Sequence, residues 1–182
     1  MTASTVKSTY ITNLVASPQT VLPRTAKGVV HAVVDHASVA TTSIDEVGDV
    51  VLLALVPTNA RIRKVMLRNE DLDSGGTPAL AVDVGFYYSG IGHTDHTKTL
   101  GTVVDADTMA SAITTLQAAN LAGTDVRVEA SGTIDGCLKE VWELCSGLTA
   151  DPKGLFAVGL TVTTAADTAV AGRVVLEIDY VV

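Results

Sequence analysis

The densest group of metal-ligating side chains lies in the segment Gly92-His93-Thr94-Asp95-His96. It places two imidazoles and one carboxylate within four residues, and these groups bind zinc or a related metal. No Glu or Cys completes a known ligand spacing, and glycines flank the segment instead of a strand or helix. A solvated loop is the preferred interpretation, and a metal-dependent enzyme using His93, Asp95 and His96 is an alternative.

Two other polar groups fit structural roles better than chemical ones. His31 and His36 lie five residues apart, on opposite faces of a predicted strand, which is typical of core or rim histidines. Asp71-Leu72-Asp73-Ser74-Gly75 is similar to the start of a calcium loop. The later Glu of an EF-hand is missing, because that position is Val82. We therefore expect an ordinary acidic turn.

Nucleophilic catalysis has no support in the sequence. The serines and cysteines show no nucleophile elbow and no companion base, and the glycines form no phosphate-binding loop. Cys137 and Cys145 fall about two turns apart in one predicted helix, too far for an easy disulfide, so reduced thiols are expected. Trp142 lies on the apolar face of that helix and is predicted to anchor the core. The sequence thus predicts a protein that is not an enzyme and has no cofactor or metal.

The composition of the 182-residue chain favours an oligomer. Apolar residues make up 47% and the mean hydropathy is +0.37. No stretch approaches the roughly 18 apolar residues of a membrane helix, so we place the excess in a β core and in subunit contacts. The net charge of −8 without a basic block argues against a nucleic-acid partner. The N-terminus lacks a signal peptide's apolar centre, which indicates assembly in a cytoplasm.

Residues 1–27 are predicted to form an extended N-terminal arm. They mix Ser, Thr and apolar positions around Pro18 and Pro23 without a sustained period. We expect the arm to dock on a neighbouring subunit, because its larger apolar side chains would otherwise be exposed. These candidate interaction residues are Tyr10, Ile11, Leu14, Val15, Val21 and Leu22.

Alternating apolar residues predict strands along the rest of the chain. At the C-terminus, 155–163 and 173–182 each have one apolar face and are expected to form a long antiparallel pair. Segments 28–36 and 50–56 are apolar on both faces, which predicts strands covered above and below, either inside a sandwich or against another subunit. Within 60–69 the apolar phase slips near Arg63-Lys64, which indicates a β-bulge. Further strands are predicted at 79–88 and 125–130.

Loops and helices complete the predicted domain. Residues 89–107 form a long loop, and 107–121 fit a helix or, alternatively, a strand. A short helix is predicted around Leu138, Val141, Trp142 and Cys145, with Asp135 as its N-cap and Gly147 as its end. With seven or eight strands, the fold is predicted to be all-β. It would be a two-sheet antiparallel β-sandwich, jelly-roll-like, over residues 28–182.

Several segments spread over residues 48–182 carry a family resemblance. They are GDVVLLALVPTNARI (48–62), 65–68, 71–73, 83–85, VWEL (141–144), GLTADP (147–152), TVTTAA (161–166), 171–172 and 180–181. Together these segments resemble small virion proteins of tailed bacteriophages, and in particular the cement or decoration proteins of the capsid. The N-terminal arm lies outside the resemblance.

The resemblance implies a structural role without an active site. The expected partner is the major capsid protein, bound on the outer surface of the head by a trimer or dimer of this chain. A tail or head-completion component is an alternative within this class. A jelly-roll module that binds glycans is an alternative from another class, and it would need exposed aromatic side chains such as Tyr87, Tyr88 or Trp142.

Overall fold

The computed structural model describes residues 29–127 and 136–182, which form eight strands. The strands are β1 (Val30–Val39), β2 (Val50–Pro57), β3 (Arg61–Asn69), β4 (Ala81–Tyr88), β5 (Val103–Ile113), β6 (Asn120–Asp125), β7 (Leu155–Thr164) and β8 (Gly172–Val181). One short α-helix, α1 (Val141–Leu144), lies between β6 and β7. In the described part of the chain no helix is long and apolar enough to cross a membrane.

The strands form two four-stranded antiparallel sheets with jelly-roll topology. Sheet A has the order β1-β8-β3-β6 and sheet B the order β2-β7-β4-β5. The first strand thus pairs with the last, the second with the seventh, the third with the sixth and the fourth with the fifth. This is the pairing of a jelly roll, in which one long antiparallel hairpin is rolled up into a two-sheet sandwich. The predicted all-β, jelly-roll-like sandwich is confirmed.

The expected pairing of the two C-terminal strands is wrong. β7 pairs with β2 and β4 in sheet B, whereas β8 pairs with β1 and β3 in sheet A. The two strands therefore lie in opposite layers. Each presents its single apolar face to the core from its own side, which the alternation alone does not distinguish from pairing within one sheet. The connection 165–171 passes from one sheet to the other.

The core lies between the sheets and follows the predicted alternation. In β4, Val82, Val84 and Phe86 are buried, and the inward residues of β7 and β8 are buried in the same way; on the opposite face of β4, Ala81 and Tyr87 are buried as well. The predicted bulge in β3 is confirmed, because the register with β8 shifts between Ile62 and Lys64. That shift returns Val65 to the core face after Ile62.

Two predicted elements between β4 and β7 have different boundaries. Residues 103–113 form strand β5, so the helix predicted at 107–121 is wrong, the strand alternative is confirmed up to 113, and the predicted loop ends earlier, at 102. A fourth strand beside β4 extends sheet B and buries Met109, whereas an isolated helix would leave the β4 edge unpaired. The strand predicted at 125–130 is wrong where the structure describes it: β6 (Asn120–Asp125) ends at the first residue of that range, 126 and 127 are not in a strand, and 128–130 lie outside the described residues.

The predicted helix around Trp142 is shorter than expected. A 3-10 turn (Gly136–Leu138) precedes α1, which begins after a capping box formed by Glu140 and Glu143. The predicted cap Asp135 lies outside the described residues. Leu138 is exposed, so its assignment to the apolar face is wrong, but Val141 is buried as predicted. The backbone N–H of Val141 donates to the carbonyl of Ala60, which fixes α1 against the start of β3.

Candidate interaction surfaces

β1 is an edge strand of sheet A and presents apolar side chains to solvent. It pairs with β8 on one side, and no other strand of the described chain pairs with its second side. Three valines at its N-terminal half are largely exposed: Val29 (70%), Val30 (48%) and Val34 (66%). An open edge of this kind offers free backbone N–H and C=O groups next to apolar surface, which makes it a site for association with another chain.

The single chain does not cover 28–36 above and below, so cover inside one sandwich is wrong for this segment and cover by another subunit stays a prediction. The residues on the core side of β1 are His31, Val33, Asp35, Ala37 and Val39. His31 and Asp35 are exposed, Val33 and Ala37 are partly buried against the core, and Val39 is buried. The core therefore covers the N-terminal half of β1 only in part, at Val33. The outward residues Val30, Ala32 and Val34 are exposed in this single chain, so another molecule would have to cover them.

Residues 29–36 are defined here as the β1 overhang. His31 lies against the ring of Tyr180 on β8, with the ring centroids 5.4 Å apart and nearly parallel. The side chain of Asp35 accepts the backbone N–H of His36. His31 and His36 are both exposed, which agrees with rim positions on opposite faces and does not agree with core positions.

A shallow groove of about 390 Å³ lies on the outer face of sheet A. It is lined by His36, Arg68, Asn69, Glu70, Leu121, Arg173 and Val175. Its cations are already paired: Arg68 donates to the carbonyls of Leu121 and Ala122, and the Arg173 guanidinium lies 2.8 Å from a Glu70 carboxylate oxygen. The groove therefore offers little uncompensated charge to a ligand.

A second apolar patch lies where the loop 89–102 enters β5. Ile91, Leu100 and Val103 are exposed there. Backbone hydrogen bonds between Tyr88 and the loop hold this segment against β4, and the Leu155 N–H donates to the Ile91 carbonyl. The patch is thus displayed by an ordered loop, as an interaction loop requires.

The three candidate metal ligands, His93, Asp95 and His96, do not converge on one site. His93 is buried; its Nδ1 lies 2.7 Å from the Lys153 carbonyl, and its ring stacks on Phe156. Asp95 is exposed and accepts hydrogen bonds from Thr97, while His96 points to the exposed side of the loop. The described residues contain no cluster of three or more His, Cys, Asp or Glu able to hold a metal. The solvated-loop interpretation fits residues 94–96 but is wrong for His93, which packs in the core.

The acidic turn contains a buried carboxylate that the sequence did not reveal. Asp73 is fully buried, and its Oδ2 accepts the N–H groups of Ala79 and Leu80 at 2.7 and 2.9 Å. Its two oxygens also accept the N–H groups of Thr168 and Asp167. The carboxylate therefore ties the connection before β4 to the connection between β7 and β8, and so joins the two sheets.

The electrostatics of Asp73 predict acid sensitivity. Burial raises the pKa of this carboxyl, but the hydrogen bonds from Thr168, Leu80, Ala79 and Asp167 outweigh burial and lower the pKa from 3.8 to about 2. Because the folded-state pKa is the lower one, the ionised form stabilises the fold above pH 4 and this stabilisation is lost as the pH falls towards 2. It amounts to about 2 kcal/mol.

The free energy of unfolding, measured from denaturant curves, is expected to fall as the pH is lowered from about 4 to about 2, because Asp73 becomes protonated. The variant Asp73→Asn removes the ionisable group and should show a smaller loss over the same range. Equal acid sensitivity of the two proteins would contradict the assignment.

The described cysteine is unreactive by its environment. Cys145 is buried and donates to the Val141 carbonyl, and burial together with the nearby Asp105 carboxylate raises the pKa of its thiol to about 12. It is a free thiol, as expected. The side chain of Cys137 lies outside the part of the chain that can be described.

The three aromatic side chains considered for glycan binding, Tyr87, Tyr88 and Trp142, are buried or half-buried. Tyr87 and Tyr88 are buried, and the Tyr87 hydroxyl hydrogen-bonds to the Thr161 hydroxyl on the outer face of sheet B. Trp142 is half-buried against the core, and its Nε1–H donates to Glu140. The core role predicted for Trp142 agrees with this packing.

The six candidate interaction residues of the arm lie outside the described residues.

Comparison with solved structures gives the class of the fold. A chain in the capsid of Ralstonia phage GP4 is 23% identical, with a TM-score of 0.58, over 85% of this chain and 84% of that one. A chain in the capsid asymmetric unit of cyanophage Pam1 is 22% identical, with a TM-score of 0.51, over 85% of this chain and 86% of that one. The chain thus has the same jelly-roll fold as chains of two phage capsids. No family model and no curated protein matches it.

Proposed function

We propose that this chain is a structural protein of a tailed-phage virion, and specifically a cement or decoration protein that binds the major capsid protein. The observation that carries the proposal is the fold shared with chains of two phage capsids over 85% of this chain. Because the sequence identity is low, the shared fold supports the architecture of the chain and not by itself its function. The support for the function comes from the exposed surfaces of the sandwich.

The exposed apolar surfaces suit repeated attachment to a shell. The β1 overhang and the patch of Ile91, Leu100 and Val103 together display apolar side chains on an ordered sandwich. A cement protein gains strength from many modest contacts that repeat over the capsid lattice, because each bound copy raises the effective concentration of the next contact. Two separate apolar surfaces allow one copy to contact the shell and a neighbouring copy at the same time.

The charge of the chain suits the outside of a capsid. The net charge is −8. On sheet A, Arg68 pairs with Glu177 and Arg173 pairs with Glu70 of the same chain. The acidic surface would complement a basic patch on the shell and would increase the association rate at low salt. On this proposal the protein acts by contact on the outer surface of the head, after assembly in the host cytoplasm, and not by catalysis.

The N-terminal arm is proposed to contribute a further attachment point beside these two surfaces. It precedes the β1 overhang directly, so its apolar residues Tyr10, Ile11, Leu14, Val15, Val21 and Leu22 would reach a surface next to the sandwich. An extended segment of 27 residues can span up to about 90 Å. That reach is sufficient for contact with a neighbouring capsid subunit.

Cosedimentation with capsids assembled without this chain tests the proposal. The full chain should bind saturably at a fixed ratio to the major capsid protein, and a chain lacking residues 1–27 should bind more weakly. A matched pair separates apolar contact from arm length: serine at the six apolar arm positions should weaken binding, whereas alanine at the polar positions Thr9, Thr12 and Asn13 should not. Failure of the full chain to bind capsids would overturn the cement role and direct attention to the tail or to head completion.

A further inference from the structure

We propose that two copies of this chain associate through their β1 strands, which pair antiparallel about a two-fold axis at Val33. The pairing would join the two copies of sheet A into one continuous eight-stranded sheet. The open edge of β1 and the exposed valines of its overhang are the surfaces that such a contact covers.

Symmetry restricts the possible registers. When two identical edge strands pair antiparallel, opposite residues point to the same face, so each residue faces one an even number of positions away. With the axis at Val33, His31 of each copy faces Asp35 of the other, which gives two complementary pairs. With the axis at Asp35, two carboxylates would face each other, and like charges directly opposite destabilise a sheet.

The Val33 register also matches apolar side chains. On the core face Val33 faces its own copy, and on the outer face Val34 faces Ala32. Val34 is 66% exposed in the single chain, so this contact removes apolar surface from water. No other symmetric register places the Asp35 carboxylate opposite an imidazole. Because an imidazole N–H donates to a carboxylate, the strand is complementary to itself in this register, which favours a second copy of this chain as the occupant of the edge.

The inference does not rest on the proposed capsid role. It concerns the isolated protein and is measured without capsids, whereas cosedimentation measures attachment to a shell. A chain that dimerises but does not bind capsids would contradict the cement role alone, and a chain that binds capsids as a monomer would contradict the β1 pairing alone.

Cysteine cross-linking tests the register. Across the axis the two Val33 Cα atoms would lie about 4.5 to 5.5 Å apart, within the range of a disulfide. The variant Val33→Cys should therefore form a covalent dimer under mild oxidation. The matched control Val30→Cys lies on the same strand, but its two copies would be about 20 Å apart and should not cross-link. The parent chain, with Cys137 and Cys145, sets the background.

A charge exchange tests the complementary pairs. The single variant His31→Asp would place two carboxylates opposite each other at both pairs, and it should shift the protein towards monomer in sedimentation velocity at micromolar concentration. The double variant His31→Asp with Asp35→His restores opposite partners in exchanged positions, and it should recover the dimer. Because both side chains are exposed, thermal unfolding of the variants should stay close to that of the parent, which separates loss of pairing from loss of folding.

Several results would overturn the proposal. A parent chain that is a monomer or a trimer in solution would do so, since the pairing of two β1 edges is two-fold. So would cross-linking of Val30→Cys as strongly as Val33→Cys, or no recovery by the double variant. A dimer that disappears when residues 1–27 are removed would assign the contact to the arm instead of to β1.

Discussion

Replacing Asp73 with alanine is expected to lower the free energy of unfolding by about 3 kcal/mol or more. The carboxylate accepts four backbone N–H groups, from Ala79, Leu80, Asp167 and Thr168, and it is fully buried. Alanine would leave these donors without a partner, and each buried unsatisfied donor costs about 1 to 3 kcal/mol, reduced where water can enter. Denaturant unfolding measures the loss.

The control for this variant is Asp45→Ala, which removes an exposed carboxylate from the loop between β1 and β2. Its effect should stay within about 0.5 kcal/mol. The distinction depends on burial and on the number of donors, since both positions lose the same side chain. Similar stability of the two variants would show that Asp73 does not join the connections between the sheets.

The second large effect is expected for Gly85→Ala, with a loss of about 3 kcal/mol. Gly85 lies in the middle of β4, where a Cβ would collide with the backbone of Asp105 and Ala106 in β5. Backbone atoms cannot move aside as a flexible side chain can, so β5 would have to separate from β4. The register of this pair already shifts on both sides of Val84, which indicates a strongly curved ladder that depends on close approach.

The matched control is Gly76→Ala, where an added Cβ would meet no atom within 4 Å. This variant should be nearly neutral or slightly stabilising, because alanine reduces the conformational freedom of the unfolded chain. Thermal unfolding of the two variants side by side measures the difference. Equal melting temperatures would mean that β5 does not pack on Gly85 as described.

The face of each strand could be predicted from the sequence because burial on one side imposes a period of two. Val174 and Ile178 in β8 are buried as the alternation predicts, and the phase slip at Arg63-Lys64 marks the real bulge in β3. Period two does not encode which strand is the neighbour, however. The pattern therefore predicts a pair of the C-terminal strands β7 and β8, although rolling the chain into a sandwich places them in opposite sheets.

The roles of single polar residues were harder to predict, because burial depends on contacts distant in sequence. Asp73 lies in a segment typical of an exposed turn, yet its partners at 167 and 168 come from the connection that precedes β8. His93 lies in a polar segment, but Phe156 and the Lys153 carbonyl, some sixty residues further on, hold it in the core. When the hydrogen-bond partners are this distant in the chain, a segment whose polar residue is buried has the same local sequence pattern as a segment whose polar residue is exposed.

The exposed β1 edge shows the same limit in the opposite direction. The apolar residues on both faces of this strand predict a strand covered on both sides, and the single chain leaves most of its N-terminal half uncovered. The predicted cover on both faces of β1 therefore requires assembly, because a second molecule would have to cover the apolar surface that one chain leaves exposed. This connects the sequence pattern to the proposed β1 pairing and to the proposed attachment to a shell.

The most direct test of the cement role is electron cryomicroscopy of capsids assembled without this chain and then incubated with it. If this chain is a cement protein, additional density is expected on the outer surface of the shell, repeated at symmetry-related positions. The eight-stranded sandwich should fit this density, with the patch of Ile91, Leu100 and Val103 or the β1 edge at a contact. Shells that show no additional density at saturating protein, or density confined to the tail vertex, would contradict the cement role.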